Sequence, residues 1–171
     1  ALALVFMSQE DWDQAEIFFQ LAMAAAPNQT SQFYETWGIQ SYLAGRTAEA
    51  GTIFEQAIAS PSVQQKTVFH YFQAGVALAL QDEPTALKSA QLASEQGKSN
   101  PRLLGRYPWV LYQTGNYKKA EQLYSELVLK FENQTTNPAV NEVVQEAMMI
   151  LSNISIQLEK DDAAVEWLEK I

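Results

Sequence analysis

One alanine returns along this chain at nearly constant distance. Five short segments resemble one another: Asp11-Trp12-Asp13-Gln14-Ala15-Glu16, Arg46-Thr47-Ala48-Glu49-Ala50-Gly51, Glu83-Pro84-Thr85-Ala86-Leu87, Asn116-Tyr117-Lys118-Lys119-Ala120-Glu121 and Asp161-Asp162-Ala163-Ala164-Val165-Glu166. Their alanines, Ala15, Ala50, Ala86, Ala120 and Ala164, are spaced by 35, 36, 34 and 44 residues. A period of about 20–50 residues marks stacked-repeat architectures, because one such unit cannot bury its apolar side alone. The chain is therefore constrained to an array before any single element is assigned.

Other slots keep step with the alanine. Four residues later stand Phe19, Phe54, Ala90, Tyr124 and Leu168; seven later, Ala22, Ala57, Ala93, Leu127 and Ile171. Twelve earlier stand Ala3, Gly38, Ala74, Pro108 and Ser152, none with a large side chain. Positions 0, +4 and +7 form one stripe of an α-helix. A small residue on that stripe lets a second helix approach, and a large one at +4 fills the space beside the contact. Gly45 and Gly115 lie five residues before their alanines, where glycine ends a helix in the left-handed conformation at little cost. Asp11 and Asn116 are natural helix starters, and Pro27 and Pro61 end the second helix of the first two copies. Each copy reads as helix, tight turn, helix, short link.

These residues resemble the tetratricopeptide repeat family, whose pattern is an aromatic, Leu-Gly, an aromatic, Ala-x3-Phe and a closing proline. The second copy carries Tyr34, Trp37-Gly38, Tyr42, Gly45, Ala50-x3-Phe54, Ala57 and Pro61; the first carries Trp12, Ala15-x3-Phe19, Ala22 and Pro27. The fourth has Tyr107, Gly115-Asn116-Tyr117 and Ala120-x3-Tyr124. The third is degenerate: Gln73 stands where an apolar residue is expected, and Gly75 suggests a first helix out of phase by one residue. The fifth has Leu151, Ala164 and Trp167-Leu168 but no glycine at its turn. The related Sel1 repeat fits less well, since its copies vary more in spacing and carry extra glycines. The resemblance implies an all-α fold, a right-handed α-solenoid of about five antiparallel helix pairs. The expected copies are 1–29, 30–63, 64–99, 100–132 and 139–171, with a loop at 133–138. By phase, Ala1 falls inside the first helix of copy one and Ile171 inside the second helix of copy five. The expectation is an excerpt of a longer repeat protein with apolar area exposed at its ends.

Two departures stand out. The 44-residue interval adds a polar, turn-rich segment, Phe131-Glu132-Asn133-Gln134-Thr135-Thr136-Asn137-Pro138, which reads as a surface loop. After it Val140, Val143, Val144, Ala147, Met148, Leu151, Ile154 and Leu158 form one long apolar stripe, so that helix is expected to be a turn or two longer than its counterparts. Pro108 falls within the first helix of copy four, where it removes a hydrogen bond and kinks the helix unless the helix begins near Leu104.

The resemblance also implies a function: a noncatalytic interaction scaffold whose first helices line a concave groove that binds a peptide or helix of a partner protein. The family's groove slots fall on Glu35, Ile39 and Tyr42 in copy two and on Phe72 in copy three. Copy four supplies Arg102, Arg106, Trp109 and Tyr112, and copy five Met149, Ile150, Asn153 and Ile156. Aromatic and arginine side chains are those most enriched at binding hot spots. Arg102 and Arg106 stand four apart, on one helix face, and could both reach one anion. The pattern that clamps chaperone C-termini is not met, because Glu35 and Ile39 stand where Lys and Asn belong and Phe72 where Asn belongs; pairing of the arginines with nearby glutamates is the plainer reading. Two alternatives are an assembly module that forms homo-oligomers through the terminal helices, and the regulatory region of a larger protein whose active domain lies elsewhere.

Composition closes other routes. Without cysteine there are no disulfides, zinc–thiolate sites or cysteine nucleophiles. One histidine, His70, reads as a packed side chain, and no cofactor or metal is expected. Twenty acids against eleven bases, a net charge of −9, disfavour nucleic acid, which needs clustered Lys and Arg. The longest apolar runs, Ala1–Met7 and Gly75–Leu80, are far shorter than the ~18 residues of a spanning helix. Gly97-Lys98-Ser99 lacks the earlier glycine of a phosphate loop, and Gly97 reads as a helix cap. Glu10/Asp11 and Asp161/Asp162 lie at turns, where they favour helix N-termini. The triplets Asn28-Gln29-Thr30, Asn133-Gln134-Thr135 and Asn153-Ile154-Ser155 are weak pointers to export; a bacterial cytoplasmic or periplasmic protein is favoured.

Overall fold

The computed structural model describes residues 2–134 and 136–171. Ala1 and Thr135 lie outside the described residues, and with them the threonine of the Asn133 triplet and part of the expected 133–138 loop. The helices are α1 (Leu2–Ser8), α2 (Trp12–Ala25), α3 (Thr30–Leu43), α4 (Thr47–Ala59), α5 (Thr67–Ala79), α6 (Glu83–Gln96), α7 (Pro101–Leu104), α8 (Arg106–Gln113), α9 (Tyr117–Phe131), α10 (Pro138–Gln157) and α11 (Asp161–Leu168). Short 3-10 turns cover Pro27–Gln29 and Glu132–Gln134, and there is no strand among the described residues. The protein is an all-α helical repeat. Two compact units, Ala1–Asp82 and Glu83–Ile171, divide it inside the third copy, between α5 and α6.

The five turns that lead into the second helices share one geometry. The residue five before each marker alanine has positive φ: Glu10 (61°), Gly45 (79°), Gln81 (62°), Gly115 (78°) and Glu159 (57°). Its N–H donates to the carbonyl three residues back, of Met7, Tyr42, Leu78, Tyr112 and Ile156 respectively, at 3.0–3.1 Å. The next N–H reaches further, from Asp11 to Phe6, Arg46 to Ser41, Asp82 to Ala77, Asn116 to Leu111 and Lys160 to Ser155, at 2.8–2.9 Å. This pair of bonds is the Schellman closure, which satisfies the carbonyls a helix end leaves open. Two turns use glycine and three do not. The third copy keeps its phase as well: Ala74 and Gln73 are buried, Gln81 takes the left-handed slot, and the one-residue slip suggested by Gly75 does not occur.

In the first unit the marker stripe packs as its spacing requires. Ala15 and Ala50 are fully buried. Phe19 stacks on Trp37 with ring centres 5.4 Å apart. Phe54 stacks on Phe72 at 5.2 Å and meets Phe69 at 6.4 Å. Gln73, buried on α5, turns its amide to Glu55 at 3.2 Å. At the start of α2, the Asp11 carboxylate accepts from the Gln14 N–H at 3.2 Å. Arg46 opens α4 with its guanidinium over the Trp12 ring at 4.4 Å and pairs with Glu49.

In the second unit Ala120, Tyr124, Leu127, Val128 and Phe131 of α9 pack against Val144, Ala147, Met148, Leu151 and Ile154 of α10. The apolar stripe does make α10 long, 20 residues against 14 for α3. Asn137 caps it by accepting from the Ala139 N–H at 3.1 Å. Asn116, expected to cap α9, makes no such side-chain bond. Gly97 follows α6 without a positive φ; a Cβ there would stand 2.8 Å from the Ala93 carbonyl oxygen, so close packing and not a left-handed cap requires glycine.

Pro108 breaks the first helix of copy four, and the break is chemically closed. Proline has no N–H to offer the carbonyl of Leu104, four residues back. The buried Ser94 hydroxyl, from α6, donates there at 2.9 Å and approaches the Leu103 carbonyl at 3.1 Å. The same oxygen accepts from the Tyr107 N–H at 3.1 Å. Helix α7 stops at Leu104, Gly105 turns the chain, and α8 begins at Arg106.

Candidate functional site

The expected groove residues lie on first helices, and each unit presents its own face. In the first unit Glu35 and Ile39 are half-buried on α3, and Ile39 packs against the cluster around Phe54 and Phe69. Tyr42 is exposed at the end of the helix. Phe72 on α5 is half-buried and stacked on Phe54, so most of its ring serves the core. Two residues not anticipated from the sequence complete this face. Leu43 is 71% exposed, and Leu4 of α1 is exposed beside it. Together with Met7, Trp12, Gln40 and Ala44 they line a groove of about 410 Å³ between α1 and α3. Leu43 could have been found from its slot: the other copies place Ser8, Ala79, Gln113 and Gln157 there, and only this one places a large apolar side chain.

A second groove of the first unit, about 570 Å³, is lined by Leu2, Phe18, Leu21, Ala22, Phe33 and Thr36 among others. It lies over the second half of α2, beside the start of α3.

In the second unit Arg102 and Arg106 do not share one continuous helix, because the break at Gly105 separates them. Arg102 is exposed and pairs with Glu142 of α10 at 3.4 Å. Arg106 holds its guanidinium over the Trp109 ring at 4.4 Å. The joint anion clamp inferred from a spacing of four therefore loses its geometric basis. Trp109 and Tyr112 are half-buried against the core, Tyr112 with its ring 6.0 Å from that of Tyr117. On α10 Met149, Asn153 and Ile156 are exposed, while Ile150 packs inward against the core. A small groove of about 370 Å³, lined by Ser99, Arg102, Asn137, Val140 and Val143 among others, lies where α7 and α10 begin.

Residues 1–32 match the tetratricopeptide repeat family, and residues 109–133 match it separately. The chain carries tetratricopeptide repeats. Among solved structures it is similar to YrrB, a TPR protein with an unusual peptide-binding site, at 18% identity and a TM-score of 0.68, over 98% of this chain and 80% of that one. It is similar also to MamA, at 14% identity and 0.72, over 99% and 92%. A MamA RS-1 double mutant gives 13% and 0.71, over 99% and 88%. At these identities the likeness shows the shared TPR fold. Among curated proteins none matches the chain in sequence.

The remaining chemistry of this TPR chain is sparse. Among the described residues no group of three or more His, Cys, Asp or Glu side chains is placed to hold a metal ion. No described helix is long and apolar enough to cross a membrane.

Proposed function

We propose that this TPR protein is a noncatalytic scaffold that binds a peptide or short helix of a partner protein on its first-helix faces. The observation that carries the reading is the exposure of Leu43 beside Leu4 and Tyr42, over a groove that a side chain can enter. Large exposed apolar side chains around a concavity mark interaction sites. In the second unit Met149, Ile156 and Asn153 give the corresponding face the same mixture of apolar and amide groups. Glu35, Ile39, Arg106, Trp109, Tyr112 and Ile150 then serve as half-buried walls, and Arg102 as a rim charge. Phe72 contributes its exposed edge only. The peptide-binding site described for YrrB supports the class of ligand, not its identity. No catalytic step is assigned: Asp11 is engaged at the start of α2, and Asp161 and Asp162 lie in the first turn of α11.

The test is selection of a displayed random-peptide library on the 171-residue chain. Peptides that enrich should lose about tenfold or more in affinity on Leu43→Ala or Met149→Ala, a loss of ~1.4 kcal/mol. They should be indifferent to Leu129→Ala, which removes an equally exposed leucine from a second helix. Enriched peptides that ignore every first-helix substitution would place the binding surface elsewhere.

A further inference from the structure

Counted from the marker alanine, slots +2 and +6 lie on the outer side of the second helices. They read Thr52 and Gln56 on α4, Lys88 and Leu92 on α6, Gln122 and Glu126 on α9, and Glu166 and Lys170 in copy five. Copy one fills both slots with large aliphatic side chains, Ile17 and Leu21. On α2 these are 45% and 58% exposed. The exposure belongs to the slots and not to the start of the chain. Helix α4 has copy one before it and α5 after it in the same unit, yet Thr52 and Gln56 are exposed as well.

Asp13, Ile17, Leu21 and Ala25, each four residues from the next, form one exposed ridge along α2. Its two ends differ. From Ile17 through Tyr34 the chain carries no charged residue, so α2 itself sets no charge beside the apolar half. At the other end stand Glu10, Asp11, Asp13 and Glu16. Residues 1–45 contain five acids and no Lys or Arg. Among the described residues no cation lies at ion-pair distance from any of these four carboxylates. Asp11 accepts from the Gln14 N–H, and Glu16 from the Gln20 amide at 2.9 Å.

We infer that the outer side of α2 is a second docking surface, and that its occupant is a basic amphipathic helix of a partner protein. A ridge of side chains four apart receives a helix by interdigitation with the partner's own ridge. Two apolar residues one turn apart on the partner seat beside Ile17 and Leu21. Lys or Arg further along the same helix then reaches Asp13 and Glu16. The charge selects this occupant. Carboxylates repel an anionic membrane surface, which attracts basic helices instead. A second copy of the chain brings the same acids and a net charge of −9, without the cations that complement the acidic end. The inference is independent of peptide binding at the first-helix faces, since none of its residues is assigned there.

The probe is a library of helical peptides with randomised surface positions, selected on the whole chain at low ionic strength. Peptides that depend on α2 should converge on two apolar residues one turn apart with Lys or Arg beyond them. Each should lose about tenfold or more in affinity on Ile17→Ser or Leu21→Ser, because burial of an aliphatic side chain is lost. Both substitutions change exposed side chains and should leave the helical circular dichroism intact. The same peptides should be indifferent to Leu43→Ala and Met149→Ala, which test the first-helix faces. Asp13→Asn combined with Glu16→Gln should flatten the salt dependence of their binding. A selected pool in which no peptide depends on Ile17 or Leu21 overturns the inference, whatever the first-helix variants do. So do α2-dependent peptides that carry no Lys or Arg. Binding of the chain to phosphatidylserine vesicles that Leu21→Ser abolishes would assign the face to lipid, and a dimer that Leu21→Ser dissolves would assign it to a second copy; either result also overturns it.

Discussion

The ring of Phe54 on α4 covers the Cα of Gly38 on α3: a Cβ at position 38 would lie 2.6 Å from Phe54 Cζ. No carbon approaches another that closely, so the hairpin of the second copy depends on a missing side chain. In an open helix Gly→Ala gains about 1 kcal/mol from propensity. Here overpacking costs about 1–3 kcal/mol, and Phe54, fully buried against Phe69 and Phe72, has little room to withdraw. Gly38→Ala should therefore lower stability in urea unfolding. Phe54→Leu should recover part of that loss in the double variant, because the shorter side chain vacates the space. A purely additive pair would show that the ring is not the obstacle.

The five left-handed turn residues make a graded prediction. An L-residue with a side chain pays roughly 1–2 kcal/mol in this conformation, and glycine does not. Glu10→Gly, Gln81→Gly and Glu159→Gly should each stabilise the chain by about 0.5–1 kcal/mol, the remainder going to glycine's larger unfolded-state entropy. Gly45→Ala and Gly115→Ala should cost a similar amount, and through conformation alone, since nothing lies within 4 Å of a Cβ at either position. Thermal unfolding of the five variants should show opposite signs for the two groups.

Those turns also show how far the sequence carries. The alanine slots, the helix pairs and the long α10 stripe follow from spacing, because burial imposes a period that side chains record directly. The turn of the fifth copy was unmarked because Glu159 adopts a glycine's conformation without being one; only its position, five before Ala164, identifies it. The phase of the third copy is hidden in the sequence for a related reason. Gln73 is polar yet buried, with its amide nitrogen donating to Glu55 on another helix, and such a partner is invisible to a pattern of apolar residues. Arg102 and Arg106 stand four apart in sequence but on either side of the break at Gly105, so a helical spacing does not describe them. Pro108 announced the break, but its closure by Ser94, thirteen residues before Tyr107, depends on tertiary contact. Leu4 occupies the same slot as Ile39 and Trp109, eleven residues before its alanine, so the repeat register alone places it on the first-helix face.

The closure by Ser94 makes a test of its own. Ser94→Ala leaves the Leu104 carbonyl and the Tyr107 N–H without the hydroxyl that joins them, at a cost of about 1–3 kcal/mol for buried polar groups. Exchange of the Tyr107 amide hydrogen should quicken by a corresponding factor. Adding Pro108→Ala restores an N–H for Leu104 and keeps a small residue in a slot where Ala3 and Ala74 already stand. The double variant should be more stable than Ser94→Ala alone. A Ser94→Ala chain as stable as the parent would mean that water takes over the bonds.

The two arginines decide what chemistry the second unit's face prefers. Arg102 spends its charge on Glu142 across 3.4 Å, with both side chains more than half exposed, a pair worth about 0–1 kcal/mol. Arg106 lies flat on Trp109 and adds area to that ring as well as charge. Neither presents a bare cation for a carboxylate to neutralise, whereas Met149 and Ile156 offer exposed apolar surface. For a peptide bound at this face, Arg102→Ala should change affinity by less than about threefold, and raising the salt concentration should do no more. Met149→Ala and Ile156→Ala should each cost about tenfold or more, in keeping with burial of most of an aliphatic side chain. Isothermal titration of one selected peptide against these variants separates the outcomes. A strong loss on Arg102→Ala with a steep salt dependence would make the face an anion site, and Glu142 would then be the group that the ligand displaces.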